Sequence, residues 1–295
     1  MASIVEIAKL AKVSKMTVSN VINKKYEKVS KETRDRIERI LIETNYTPNL
    51  FARNLKKAGY YLMFRFVSDE EILSNLVLNW NVDGVIILGA VKKEIRTVFK
   101  DIKVPVVFID TYADLEESDS IVTEDEQGGF LATNHLINKG KRKIGIVVSS
   151  IKEIGVASKR YDGYRRALKE NDISFDDKWL FEGFPSFEFG AQIAQQIVEE
   201  KTAFDALFVY SDVMAIGVIK GLKEHGLRVP EDIAVVGFDG LYIGDLCEPR
   251  LTTIKQDITA KGKMAVDLLV RKLDGSSLSS EQLTLPVKLL EKESA

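Results

Sequence analysis

The chain has 295 residues, 45% hydrophobic and 29% charged, with a net charge of −2 and one cysteine. That length predicts about two domains with ample apolar material for a core, and a lone cysteine excludes an intramolecular disulfide and suggests a reducing compartment. The N-terminus carries no long apolar run, so neither a signal peptide nor a membrane span is expected. The small net charge conceals a split: residues 1–57 hold 13 Lys and Arg against 6 Asp and Glu, and the remainder holds 29 against 38. A basic nucleic-acid-binding head on an acidic body gives this split, and so does an ordinary solvated basic face.

Ser3-Ile4-Val5-Glu6 has the form of a capping box, and Ile4, Ile7, Ala8 and Ala11 follow at helical spacing, which predicts a helix over 4–11. Ser14 caps a second helix with Val18, Val21 and Ile22 inward and Lys15, Met16, Ser19 and Asn20 outward. Ser30 opens a third, with Ile37, Ile40 and Leu41 inside. Two short helices around a tight turn, with long polar side chains on the second, form a helix-turn-helix that presents a reading face to a DNA major groove. In Tyr46–Leu55, Thr47 caps and Pro48 fits the first turn, predicting an eight-residue helix that is marginal alone.

From Tyr60 the pattern alternates. Strands are expected at Tyr61–Val67, 81–89, 106–110, Ile144–Ser149, Ala206–Tyr210, Ile233–Phe238 and Leu285–Leu290. Helices are expected at Glu70–Asn79, Glu94–Asp101, Glu126–Asn138, Ser158–Asn171, Ala191–Glu200, Val213–His225 and Asp257–Leu273. Such alternation predicts parallel sheets covered by helices on both faces, with ligands bound beyond the carboxyl ends of the strands. Polar residues stand at those ends: Asp110, Ser211-Asp212 and Asp239. Asp212 reads as the cap of the helix after it. Asp239 precedes Gly240 and a loop, so capping explains it less well. His135 and His225 read as ordinary helix residues. No nucleophile motif, glycine-rich phosphate loop or metal-ligand spacing appears, so no enzyme, metal or cofactor is expected.

VSKMTVSNVIN at 13–23, the Val29, Ser30, Thr33, Arg34 and Arg36 pattern and YTPNLFARNL at 46–55 together resemble the LacI/GalR (lactose-repressor/galactose-repressor) family of bacterial transcription regulators. The resemblance continues through VDGVIIL, HLINKGKRKIGIV, KRYDGY, YSDVMAIG, VVGFDG and LTTIKQD. It implies a small all-α helix-turn-helix head with a hinge helix over 1–57. An α/β effector-binding and dimerisation body over 58–295 follows, with two lobes like those of periplasmic binding proteins. The first lobe covers about 58–139 and 255–280, and the second about 140–254 and 281–295. By the same resemblance Lys15, Met16 and Asn20 meet base edges, Met16 reading a thymine methyl or shape, and Ser14, Thr17, Ser19 and Tyr46 contact phosphates. Asn49 and Arg53, in the hinge, also bind DNA, and Leu55 wedges into the minor groove. Arg160 and Asp239 bind the effector, Asp125 closes from the first lobe, and Ser211 stands where the family often has Asn. Phe184 or Phe187 supplies an apolar face, with core packing as the simpler reading. The implied partners are a near-palindromic double-stranded DNA operator, a carbohydrate effector and a second copy of the chain, in a bacterial cytoplasm at the nucleoid and without a membrane.

Two departures stand out. Lys12 occupies a turn position where the family usually has Gly, at a cost of about 1 kcal/mol in left-handed geometry. After Lys57 the chain passes straight to Gly59-Tyr60-Tyr61-Leu62, so about thirty residues, one βα unit, are absent from the family pattern. The competing expectations are therefore a ligand-responsive repressor, a truncated ligand-insensitive regulator that keeps only its head, and a cytoplasmic solute-binding protein.

Overall fold

The computed structural model describes residues 4–22, 26–43, 59–64, 82–89, 104–112, 118–152, 154–200, 204–277 and 279–295, and the chain divides into two compact units, 1–62 and 63–295. In the first unit, α1 (Ile4–Leu10), α2 (Lys15–Ile22) and α3 (Lys31–Glu43) form the expected head. The Ser14 hydroxyl accepts from the Thr17 N–H at 3.1 Å and the Ser30 hydroxyl from the Thr33 N–H at 3.3 Å, so both serines cap as their positions predict. Ile7, Ala8, Ala11, Val18, Val21 and Ile37 make a small core, flanked by Val13, Val29, Ile40 and Leu41. Lys12 holds φ +52° between α1 and α2, the left-handed turn its position implies.

The predicted hinge helix over Tyr46–Leu55 and the helices at Glu70–Asn79 and Glu94–Asp101 lie outside the described residues. Of the predicted strand Tyr61–Val67, residues 61–64 join no sheet and the rest lies outside the described residues.

Two sheets organise the second unit. The first runs in the order β1 (Val85–Leu88), β2 (Val106–Ile109), β3 (Asp119–Thr123) and β9 (Gln282–Leu285), all parallel. Helix α8 (Ile258–Leu273) covers it, packing Ala265, Leu268 and Leu269 on Val107, Ile109, Ile121 and Leu285. The second sheet has the order β10 (Lys288–Leu290), β8 (Thr252–Lys255), β7 (Ala234–Asp239), β6 (Ala206–Val209), β4 (Ile144–Val148) and β5 (Leu180–Glu182). It is parallel except for β10, which pairs antiparallel with β8.

Both faces of the second sheet are apolar, as a doubly covered parallel sheet requires. Ile144, Ile146, Ala206, Phe208, Ala234 and Val236 face α4 (Asp125–Asn138) and α5 (Val156–Glu170). Val147, Leu207, Val209 and Val235 face α6 (Phe187–Glu199) and α7 (Asp212–Glu224). Each helix pair crosses at glycines: a Cβ on Gly163 would lie 1.9 Å from the Glu126 carbonyl oxygen, and one on Gly129 2.0 Å from that of Arg160.

The chain passes between the sheets at Glu124, at Gln256-Asp257 and at Pro286-Val287. This moves the lobe boundaries inferred from sequence. Helix α4 packs Ala132, Leu136 and Ile137 into the second sheet's core, so the first crossing falls at Glu124, not near Lys139. The first lobe takes back 258–285, because β9 pairs with β3. The single strand expected over Leu285–Leu290 is two strands in different sheets, split where Pro286 removes a ladder donor. Strands β3, β5 and β8 are not among the predicted elements, and α6 begins at Phe187, capped by Ser186, four residues before the expected start.

Candidate functional site

In the head, α2 presents Lys15 and Met16 to solvent, Met16 at 70% exposure, while Thr17, Ser19 and Asn20 are half-buried beside them. Met16 stands outside the head's core and next to an exposed lysine. Ser14 and Thr17 are tied to each other by a 2.9 Å hydroxyl contact as well as by the cap. Tyr46, Asn49, Arg53 and Leu55 lie outside the described residues.

In the body, polar side chains gather where the carboxyl ends of the two sheets meet, the position at which open α/β sheets bind ligands. Asp110 follows β2 at φ +57°, and Asp239 ends β7 at φ +121°, a region that costs a non-glycine residue of order 1–3 kcal/mol and is found chiefly at functional sites. Arg160, on the first turns of α5, donates from Nε to Asp125 Oδ1 at 2.8 Å and from Nη1 to the Tyr210 carbonyl at 2.6 Å. Its Nη1 also lies 3.7 Å from Asp239 Oδ1. The guanidinium rests on the Phe238 ring, 3.4 Å from its centre, so its apolar face is covered while its edge donates. Nη2 has no hydrogen-bond partner among the described residues.

The close approach of α4 and α5 at Gly129 and Gly163 sets this geometry, since Asp125 opens α4 and Arg160 lies one turn before Gly163. Tyr112, from the loop after β2, donates its hydroxyl towards Asp125 Oδ2 at 2.7 Å and the Thr123 carbonyl at 2.6 Å. Gln256, at the second crossing, gives its amide N–H to Asp239 at 2.7 Å. Its carbonyl accepts from Lys261 at 2.6 Å and from the Thr123 hydroxyl at 3.1 Å. Lys261 in turn donates to Asp110 at 2.6 Å. A chain of hydrogen bonds, closed by the 3.7 Å ion pair of Asp239 and Arg160, thus runs from Asp110 through Lys261, Gln256, Asp239 and Arg160 to Asp125 and Tyr112, and links the two sheets.

Burial shapes the electrostatics. It disfavours the Arg160 charge, yet Asp125 and Asp239 outweigh it and hold the guanidinium above its ordinary value. Burial raises Asp239 despite Arg160 and Gln256. Burial also raises the Tyr112 hydroxyl well beyond its usual range, and neighbouring Asp125 adds to the effect.

Three expectations change. Asp125 stands on a helix packed on the second sheet, so it holds Arg160 from its own lobe and meets the first lobe through Tyr112. Ser211, not Asp212, caps α7, accepting from the Met214 N–H at 3.4 Å. The Asp212 carboxylate turns away and is fully buried, accepting from the Thr253 hydroxyl at 2.6 Å and the Leu241 N–H at 2.7 Å, and burial pushes it up to about 7. Phe184 is 80% exposed, against the expected core packing, and Phe187 is half-buried with Lys220 Nζ 5.5 Å from its ring. Tyr112, Gln256 and Lys261 were missed. Gln256 lies near the end of the LTTIKQD match, but nothing local marks Tyr112 or Lys261, whose acidic partners Asp125 and Asp110 lie 13 and 151 residues away.

A helix-turn-helix unit carried in one chain with a two-sheet α/β body, its strand ends converging on a polar cluster, defines a DNA-binding regulator of the two-lobed, periplasmic-binding-protein-like class. Family comparison agrees: residues 3–49 match the bacterial regulatory proteins of the lacI family, and residues 133–295 match the periplasmic binding protein-like domain. The chain belongs to the LacI family of bacterial transcription regulators. It is 30% identical to the ribose operon repressor of Haemophilus influenzae, over 88% of this chain and 89% of that protein. It is 31% identical to the HTH-type transcriptional repressor PurR of Aliivibrio fischeri, over 82% and 83%. Among solved structures, a transcriptional regulator CelR–cellobiose complex superposes with a TM-score of 0.76 at 25% identity, covering 100% of both chains. The Lac repressor dimer bound to operator and the anti-inducer ONPF superposes at 0.72 with 27% identity, over 99% of this chain and 98% of that one. These relatives are transcription regulators and not enzymes, in keeping with a sequence that carries no catalytic motif. No helix among the described residues is long and apolar enough to cross a membrane.

Proposed function

We propose that the chain is a cytoplasmic, nucleoid-associated repressor that binds a near-palindromic operator as a homodimer and is controlled by a small carbohydrate held between the two sheets. Lys15, Met16 and Asn20 reach base edges, Met16 through a thymine methyl or groove shape, while Ser14, Thr17, Ser19 and Tyr46 fix the phosphates. Asn49 and Arg53 belong to the hinge helix, and Leu55 is its minor-groove wedge. Arg160 and Asp239 hold the ligand, Arg160 through Nη2, with Asp125 fixing the guanidinium and Ser211 at the rim. Ligand drawn between the sheets changes their spacing and melts the hinge helices, an order–disorder switch.

The observation that carries the reading is the chain of bonds between Asp110 and Tyr112, which makes the separation of the lobes depend on what sits among those side chains. The cellobiose complex of CelR and the name of the ribose operon repressor support a sugar. A loss of one βα unit after the hinge is part of the proposal. It is supported by the 296-position alignment with the H. influenzae repressor, which takes in only 88% of this 295-residue chain, so that protein contributes positions with no counterpart here.

A ligand-insensitive regulator is the second reading, favoured by the way the site's side chains satisfy one another. Selection of bound duplexes from a random pool at physiological salt tests the first half: an enriched inverted repeat supports the dimer, and single half-sites reject it. Titrating the selected duplex complex with free sugars tests the second half. Release or tightening supports control by ligand, and no response to any sugar favours the insensitive reading.

A further inference from the structure

We infer that the ligand of the inter-sheet cluster is rich in hydrogen-bond donors and carries no acidic group, and that the Asp110–Lys261 pair on the first-sheet side sets this preference. The inference rests on the ligand-controlled reading above.

Among the described residues, three carboxylates, Asp110, Asp125 and Asp239, surround two cations, Arg160 and Lys261, so the cluster is negative by one charge. Asp125 is fully buried, and of the rest the cations are the deeper groups. Their side chains are 4% and 5% exposed, whereas those of Asp239 and Asp110 keep 18% and 22%. Lys261 is engaged by Asp110 and the Gln256 carbonyl, and Arg160 by Asp125 and the Tyr210 carbonyl, with Nη2 left open. A molecule arriving between the sheets therefore meets carboxylate oxygens from both sides, one at the end of β2 and one at the end of β7. Asp212 lies behind Asp239 as a fourth acid, held by Thr253 and the Leu241 N–H.

Hydroxyls or an ammonium suit such a surface, because each donates to a carboxylate and an ammonium also balances its charge. A phosphate or carboxylate would have to displace Asp110 to reach Lys261, and at the open Nη2 of Arg160 it would add negative charge to an already negative cluster, beside Asp125 and Asp239. Lys261 alone would be a ready phosphate ligand. Asp110, 2.6 Å away and 151 residues earlier in the chain, cancels it.

The test measures binding of matched compounds to the full chain by equilibrium dialysis. Ribose is compared with ribose 5-phosphate, glucose with glucosamine and glucose 6-phosphate, and cellobiose with its 6′-phosphate. In whichever series binds, the free or amino sugar is expected to bind at least tenfold more tightly than its phosphate. Asp110→Asn, which frees the Lys261 ammonium, is expected to shrink that gap at least tenfold. Lys261→Met, which leaves Asp110 uncancelled, should widen it and serves if the first variant does not fold. A phosphate binding the unaltered chain as tightly as its free sugar overturns the inference and leaves ligand control standing. An unchanged gap in Asp110→Asn removes the pair from the argument. Binding by no member, with operator binding unmoved by all of them, counts against ligand control itself.

Discussion

The head and the body are stabilised by different means. Among the described residues the head closes over six buried apolar side chains, and its second and third helices each begin on a serine hydroxyl three residues from its backbone partner. Among the described residues, the body buries both faces of the six-stranded sheet and packs α8 on the four-stranded one, and its helix pairs cross at glycines with backbone against backbone. A unit of the head's size buries a small share of its surface and leans on local hydrogen bonds. The body leans on packing that no single local signal carries. Damage should therefore be large and long-range in the body, and small and local in the head.

Gly163→Val is the most severe break. Its first carbon already falls 1.9 Å from the Glu126 carbonyl and 2.6 Å from the Phe130 nitrogen, both backbone atoms that move only if α4 moves. Forcing these helices apart costs at least about 4 kcal/mol, beyond the usual range for a point substitution, and it separates Asp125 from Arg160. Urea denaturation followed by fluorescence should show the transition of Trp179, packed on Phe204 in the body, lost or displaced to low urea. A midpoint unchanged within error would break the comparison outright.

Arg160→Met should come next, at about 3–5 kcal/mol, since it strands the buried Asp125 carboxylate rather than simply deleting a contact. Adding Asp125→Asn should return part of that loss. Additive losses in the double variant would mean that the pair is not coupled.

Asp212 contributes through pH. Its folded-state value, about 7, lies above the ordinary 3.8, so between these values the folded chain holds a proton that the unfolded chain has released. Stability from this group is thus present below about pH 4 and is lost as pH rises towards 7, by at most about 4 kcal/mol for a three-unit gap. Asp212→Asn keeps an acceptor for the Leu241 N–H without the charge. It should flatten the decline between pH 4 and 7 and be the more stable chain at pH 8, as read by thermal unfolding across that range. A wild-type profile rising with pH in step with the variant would remove Asp212 from the account.

The same contrast explains what could be read from the sequence. Ser14 and Ser30 were legible because cap signals act within three or four residues, and the left-handed turn at Lys12 followed from the family pattern, which usually has Gly there. The β4, β6 and β7 strands were legible as short apolar runs between helices. Strand β3 was not, since Asp-Ser-Ile-Val-Thr shows too few apolar positions to read as buried. Strand β8 was hidden by Thr252 and Thr253, whose hydroxyls are absorbed in the fold by Ala295, Lys292 and Asp212. At the site, Asp239 and Arg160 could be singled out from strand-end position and family pattern. Asp212 could not be separated from an ordinary cap, because its true partners lie 29 and 41 residues away. The Lys261–Asp110 pair is set by the second crossing between the sheets, which no local spacing encodes.

The smallest expected effects fall in the head and make the comparison quantitative. Ser14→Ala removes the acceptor for the Thr17 N–H, and losses of this kind are about 1 kcal/mol. Lys12→Gly should return about the same amount, because a glycine takes φ +52° without the Cβ penalty that a lysine bears there. The two residues flank the same turn, so the double variant should lie near the wild type, and helix loss followed by far-ultraviolet circular dichroism would measure all three. If Lys12→Gly also weakens DNA binding, the lysine is held in its strained conformation for its charge. If binding is unchanged while stability rises, the strain is a structural cost without a functional return, and the head could be stabilised without touching its reading face.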